Sequence, residues 1–138
     1  MSADRFKTIK MQIPFDEADG EGIVFFGNYF RIAHRAFEQF VPLIGITWLE
    51  WFKHSEIGVP LRHVEADYLG PLRPGDQIEI HIRIADMTES SVRFTYEFRD
   101  HTGRPTSKLA TTHVFADRKT FKKVSIPSYF REKLEAAR

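Results

Sequence analysis

The chain has no cysteine, which rules out a disulfide framework, a thiolate nucleophile and every cysteine-based zinc site. The absence fits a reducing cytoplasm, and a cytoplasmic protein is the expectation. Net charge is also nearly missing: 20 basic and 19 acidic side chains leave +1. That is too little for a general attraction to nucleic acid or an anionic membrane, so any anion site must be local. No stretch approaches the roughly 18 apolar residues needed to span a bilayer, and residues 1–10 lack the apolar core of a secretory signal. A soluble, unprocessed chain without a membrane partner is expected.

Several catalytic signatures are missing as well. There is no Gly-x-Ser-x-Gly elbow, no Walker-type phosphate loop, no dinucleotide fingerprint and no His-Glu-x-x-His pair. The six histidines are scattered. An acidic stretch near residue 19 invites a calcium reading, but placing Asp19-Gly20 at positions five and six of an EF-hand loop puts Phe15 and Phe26 at its two end ligand positions. Neither can ligate. No metal and no cofactor are expected.

What the chain has is apolar volume: 42% apolar residues, 28% charged, and 13 phenylalanines. In 138 residues this composition predicts one well-packed domain spanning residues 1–138. Ile9, Met11 and Ile13 alternate with polar residues, the two-residue period of a half-buried strand within Phe6 to Pro14. From Asn28 the period changes: Tyr29, Ile32, Ala33, Ala36, Phe37, Phe40, Val41 and Ile44 follow three- and four-residue spacing, which predicts a helix of about four turns to near Leu43. Gly45 ends it, and Thr47 is placed to cap a short second helix carrying Trp48, Leu49, Trp51 and Phe52.

Beyond Gly58 the pattern is that of strands. Val59 to Tyr68 is followed by the turn signals Gly70-Pro71 and Pro74-Gly75-Asp76. Ile78, Ile80, Ile82 and Ile84, then Val92, Phe94, Tyr96 and Phe98, alternate cleanly and predict an antiparallel hairpin. Thr106 to Asp117 is apolar on both faces, the mark of an interior or doubly covered strand. A short amphipathic helix from Ile126 to Leu134, with Pro127 in its first turn, closes the order. Strand, long helix, short helix, four strands and terminal helix make an α+β domain, a sheet with one dominant apolar helix to cover.

Chemistry concentrates between Phe15 and Tyr29, where Asp16, Glu17, Asp19 and Glu21 crowd with Gly20, Gly22 and Gly27 ahead of the long helix. A helix N-terminus carries unpaired N–H donors and partial positive charge, so it polarises a carbonyl oxygen and keeps a neighbouring carboxylate ionised. Missing side chains at the glycines would let a ligand approach the backbone closely. A carboxylate-driven acyl hydrolase needs these parts. A solvated, capped turn is the plainer reading.

This run resembles the signature of the hotdog-fold thioesterases of the 4-hydroxybenzoyl-CoA thioesterase type: an acidic residue, two intervening positions, Gly-Ile-Val, a pair of aromatics and Asn-Tyr. A second stretch, Pro60 to Leu72 with Gly75-Asp76 behind it, resembles that family's second strand and its turn. The resemblance implies a long central helix wrapped by an antiparallel sheet of about five strands, in a homodimer or homotetramer with active sites between protomers. It implies hydrolysis of an acyl-CoA to free acid and CoA. Asp19 then stands as nucleophile or general base, and the backbone N–H of Phe26 as the donor that polarises the thioester carbonyl. Gly27, Asn28, Tyr29, His34 and His63 are the candidate substrate-binding residues.

Departures from the family pattern narrow the expectation. His34 stands where the 4-hydroxybenzoyl enzyme has an aspartate suited to a phenol, so the resemblance does not carry 4-hydroxybenzoyl specificity with it; Phe25, Phe26, Tyr29, Phe30 and Trp48 favour an aromatic or short to medium chain. Glu17 stands where relatives usually have a second aspartate. The connection Asp86 to Ser91 lacks the family's phosphate-holding cations, for which Arg93, Arg118, Lys119, Lys122 and Lys123 are the available substitutes. That shortage keeps acyl carrier protein open as the thiol carrier, and a non-catalytic module that holds an acyl thioester is the alternative outside enzymes.

Overall fold

A computed structural model describes residues 5–17, 22–24 and 26–138. Strand β1 (Lys7–Gln12) is followed by a 3-10 turn at Phe15–Glu17 and the long helix α1 (Asn28–Leu43). Then come α2 (Trp48–Phe52), the short strand β2 (Ile57–Gly58), and strands β3 (Leu61–Tyr68), β4 (Gln77–Met87), β5 (Ser91–Arg99) and β6 (Pro105–Val114). A two-residue strand β7 (Ala116–Asp117) and helix α3 (Ser128–Ala137) complete the chain. Five strands form one antiparallel sheet in the order β1-β4-β5-β6-β3, and β2 pairs with β7 separately. This is the α+β hotdog arrangement, with the sheet curled about α1.

The alternation in β4 and β5 decides which sheet face the helix covers. Ile78, Ile80, Ile82 and Ile84 sit opposite Phe98, Tyr96 and Phe94 on one buried face, while Glu79, His81, Arg83, Thr95 and Glu97 hold the other. Tyr29, Ile32, Ala33, Ala36, Phe37, Phe40 and Val41 of α1 complete that core. Burying side chains of this size contributes roughly 2 kcal/mol each. Phe37 is central, packed edge-on against Phe94 at 4.9 Å and Trp51 at 5.6 Å.

Helix α1 ends as the sequence predicts. Pro42 supplies no N–H in the last turn, and Gly45 takes φ +88°, a left-handed backbone that favours glycine. Thr47 then starts α2 with a reciprocal cap: its hydroxyl accepts from the Glu50 N–H at 3.1 Å, and the Glu50 carboxylate accepts from the Thr47 N–H at 2.7 Å.

The strand expected from Thr106 to Asp117 is interrupted at Phe115. This ring is fully buried against Trp51 and Phe130, its N–H donates to the Ser90 carbonyl and its carbonyl accepts from Val124. Anchoring Phe115 under α2 and α3 pulls the chain off the main sheet, so Ala116–Asp117 pairs with β2 instead. β6 itself is interior, between β5 and β3, as its two-sided apolar character requires. β3 is an edge strand, with Leu61, Val64, Tyr68 and the following Leu69 exposed.

Candidate active site

The start of α1 is stitched to the far end of the sheet by backbone and phenol contacts. Gly22 takes φ +76°, and a Cβ there would meet nothing within 4 Å, so glycine answers a turn requirement rather than close packing. The Val24 N–H donates to the Leu72 carbonyl at 2.7 Å. Tyr68, at the end of β3, donates its hydroxyl to the Phe26 carbonyl oxygen at 2.9 Å. Gly27 is the N-cap in ordinary right-handed backbone, and neither a side-chain cap nor a first-turn acid occupies the helix start among the described residues. The first-turn amides of α1 have no intrahelical acceptors.

Tyr29 is buried beneath this turn, its ring edge-on to Tyr68 at 5.0 Å and tilted on Phe98 at 5.5 Å. Burial, with the Tyr68 hydroxyl alongside, holds the Tyr29 phenol above its ordinary value against a Leu72 backbone hydrogen bond. Burial also raises Tyr68. Both phenols therefore stay protonated at neutral pH and act as donors, not bases. A carboxylate is the base expected from the sequence. Asp19, the expected one, lies outside the described residues, as do Gly20, Glu21 and Phe25.

Six residues on from Asn28, about 9 Å along the helix axis, His34 lines a pocket of about 490 Å³. Trp51, Phe52, Val59, Leu61, His113 and Phe121 form most of its apolar wall. His34 pairs with Glu38 at 3.1 Å and meets the edge of Phe52 at 5.8 Å. Trp48 is tied outside the pocket, its indole N–H donating to Glu38 at 3.0 Å. His113 stacks on Phe37 at 5.4 Å and 10°, with one ring nitrogen 3.4 Å from the Val59 carbonyl and the other 3.3 Å from the Thr111 hydroxyl. Burial lowers its pKa to about 4, helped by the facing His34 and opposed by Val59. The wall is thus polar but uncharged at this point.

His63 is placed elsewhere. It sits on the sheet face away from α1, exposed, 3.3 Å from Glu65, which Arg93 also holds at 3.1 Å. The structure gathers Phe26, Gly27, Asn28 and Tyr29, sets His34 further along the same helix, and separates His63 from them. A larger cavity of about 700 Å³ opens on that outer face. Its charges are largely matched, Arg93 with Glu65 and Arg99 with Glu97, and the cavity lies on the sheet face away from the helix start. The helix-start region is the chemically apt one. Of the cations considered for phosphates, Arg93 is paired and Arg118 donates to the Ile57 and Phe52 carbonyls. No group of three metal-ligating side chains occurs among the described residues.

Two residues escaped the sequence reading. Tyr68 stood inside the second motif without a role, because a phenol reaching 42 residues back is a tertiary fact. His113 was grouped with scattered histidines, although sharing parity with Leu109 and Thr111 in β6 puts it on the helix-facing side.

Residues 13–134 match the thioesterase-like superfamily. The 1,4-dihydroxy-2-naphthoyl-CoA hydrolase of Crocosphaera subtropica is 27% identical over 121 residues, 86% of this chain and 88% of that protein. The hydrolase of the same name from Prochlorococcus marinus is 30% identical over 125 residues, 86% and 80% of the two chains. Among solved structures, the 1,4-dihydroxy-2-naphthoyl-CoA thioesterase of Synechocystis superposes with a TM-score of 0.86 at 20% identity, over 94% of this chain and 95% of that one. A gentisyl-coenzyme A thioesterase superposes with a TM-score of 0.82 at 25% identity, over 93% and 99%. The fold, the order of its elements and the family match agree: the chain belongs to the thioesterase-like superfamily, as a thioester hydrolase with the hotdog fold.

Proposed function

We propose that the chain is a single-domain, cytoplasmic acyl-CoA thioesterase that hydrolyses an aromatic acyl-CoA to the free acid and CoA. The observation that carries this reading is the ring-walled pocket of about 490 Å³ beside His34, about two turns along α1 from the helix start. A volume of this size is ample for a bicyclic or substituted ring, and its aromatic walls suit one. His34 gives the wall a hydrogen-bonding group for a ring hydroxyl, beside the uncharged, already partnered His113, in keeping with the dihydroxynaphthoyl and gentisyl substrates named for its relatives.

In the proposed reaction the thioester carbonyl oxygen lies against the Phe26 N–H, which stabilises the tetrahedral oxyanion by about 3 kcal/mol. Asp19 either takes a proton from the attacking water or attacks the carbonyl itself. By the first route water adds to the carbonyl carbon, the carbon–sulfur bond breaks, and the proton on Asp19 passes to the departing thiolate. By the second, CoA leaves as the acyl group forms a mixed anhydride with Asp19, and water then splits the anhydride. The remainder of the site binds and orients: Gly27, Asn28 and Tyr29 at the thioester, His34 at the acyl group, and His63 from across a protomer interface.

The test is a panel of CoA thioesters read with a thiol-reactive chromophore, to which a chain without cysteine contributes no background. Dihydroxynaphthoyl-, 4-hydroxybenzoyl- and benzoyl-CoA are expected to exceed butyryl- and palmitoyl-CoA in kcat/KM by at least about tenfold, roughly 1.4 kcal/mol. Preference for the acyl chains overturns the aromatic reading. Silence across the panel with turnover of an acyl carrier protein thioester overturns the CoA reading, and binding without release overturns hydrolysis.

Two protomers pair through β3 in this reading. That strand lacks a neighbour on one side among the described residues and exposes Leu61, Val64 and Tyr68. An open apolar edge of this kind is a template for a second strand. Val64→Lys is expected to weaken association about tenfold or more by placing a charge on the pairing edge, shifting the sedimentation mass toward the 16.1 kDa protomer and lowering activity with it. An unchanged mass places the interface elsewhere.

A further inference from the structure

We infer that Tyr68 is a positioning residue for catalysis: its hydroxyl, by donating to the Phe26 carbonyl oxygen at 2.9 Å, fixes the backbone whose N–H polarises the thioester. This rests on the assignment of the Phe26 amide under the proposed function.

The turn ahead of α1 needs such a tie. Phe26 is 62% exposed, its ring edge-on to that of Tyr68, so the phenol meets both its ring and its carbonyl. The first helical hydrogen bond onto its carbonyl, from the Tyr29 N–H, is long at 3.4 Å. Tyr68, by contrast, comes from a fixed base. The N–H groups of Leu69 and Gly70 both donate to the Thr106 carbonyl, at 2.9 and 3.0 Å, and Tyr68 is in register with the fully buried Ser107. The Tyr29 ring packs edge-on to the Tyr68 ring at 5.0 Å and the Phe26 ring does so at 6.3 Å, which restricts the phenol to one direction.

The Phe26 carbonyl lies in the peptide plane next to the one that carries the Phe26 N–H, separated from it by that residue's φ and ψ alone, so a bond that holds the carbonyl limits how far the Phe26 N–H can turn. Donor placement matters steeply: an error of about 1 Å in a reacting geometry can cost on the order of a hundredfold in rate. Tyr68 touches no reacting atom in this account. Its effect therefore belongs in kcat and not in substrate affinity. The donor must also keep its proton, and burial of the phenol favours that.

The experiment compares three full-length proteins: Tyr68→Phe, Asp19→Asn, and the wild-type chain with difluorotyrosine, whose phenol ionises near neutral pH, at position 68. Tyr68→Phe keeps the ring packing and removes the donor. It is expected to lower kcat about tenfold or more with KM within about twofold and an unchanged sedimentation mass. The difluorotyrosine enzyme is expected to lose kcat as pH rises through its phenol ionisation, a loss that wild type lacks over that range. Unchanged kcat in Tyr68→Phe with Asp19→Asn inactive overturns the role of Tyr68 and leaves the site reading standing. A rise in KM alone overturns it too. Full turnover in Asp19→Asn overturns the site reading and this inference with it. Should Tyr68→Phe misfold, the pH profile of the difluorotyrosine enzyme decides: no loss on ionisation overturns the inference.

Discussion

Asp19→Asn is expected to reduce kcat about a thousandfold while leaving the circular dichroism spectrum and sedimentation mass as in wild type. The amide is isosteric with the carboxylate, but it neither accepts a proton from water nor attacks a thioester. Removal of a positioned base costs roughly a hundred- to ten-thousandfold. Fold should be spared, because residue 19 falls between the 3-10 turn that ends at Glu17 and the start of α1 at Asn28, outside both β1 and the helix. The other acids of the run serve as controls. Asp16→Asn and Glu17→Gln are expected to keep turnover within about threefold, since a single carboxylate suffices on either chemical route. Equal losses at Glu17 and Asp19 would mean that two carboxylates share the work, and an active Asp19→Asn enzyme would remove the proposed base altogether.

Much of this was legible in the sequence where periodicity and burial coincide. The start of α1 at Asn28 and its end near Leu43 followed from spacing plus Gly45, and the β4–β5 hairpin followed from eight alternating apolar residues. β3 was harder. Its residues sit at a sheet edge and are almost all exposed, so no alternation of burial marks its faces, and only turn signals bounded it. The break at Phe115 was hidden for a different reason. Ala110 to Ala116 is continuously strand-like, and the chain leaves the sheet because of a pocket formed by Trp51 and Phe130, which lie far away in sequence. The site divides in the same way. A local motif carried the acidic run and the helix start, whereas the tie from Tyr68 to Phe26 and the approach of His113 to His34 exist only after the sheet has curled about α1.

His113 supplies the second large expected effect, a loss of stability in mild acid. In the unfolded chain its imidazole titrates near the ordinary 6.5, whereas in the folded protein burial lowers the value to about 4. Between those values the unfolded state binds a proton that the folded state refuses, so unfolding becomes more favourable as pH falls. The stabilisation is complete above pH 6.5, declines as pH falls from 6.5 toward 4, and is constant below. The two limits correspond to about 3 kcal/mol, at about 1.4 kcal/mol per pH unit. The groups around the ring account for this refusal. Phe37, Trp51 and Phe94 give it apolar surroundings, His34 adds a like charge when protonated, and only the Val59 carbonyl favours the charged form. The Thr111 hydroxyl at 3.3 Å completes the contacts without supplying a negative charge. His113→Gln keeps a polar group there and removes the titration. Urea unfolding at pH 7.5 and pH 4.5 is expected to show a fall in wild type that exceeds the fall in His113→Gln by about 2 to 3 kcal/mol. Exposed carboxylates whose pKa values are lowered in the folded chain, such as Glu65 beside Arg93, also lose stabilisation on acidification, but they do so in both proteins and cancel in the comparison. Identical falls in the two proteins would show that the buried ring is protonated at little cost, and the uncharged wall beside His34 would then be lost from the site.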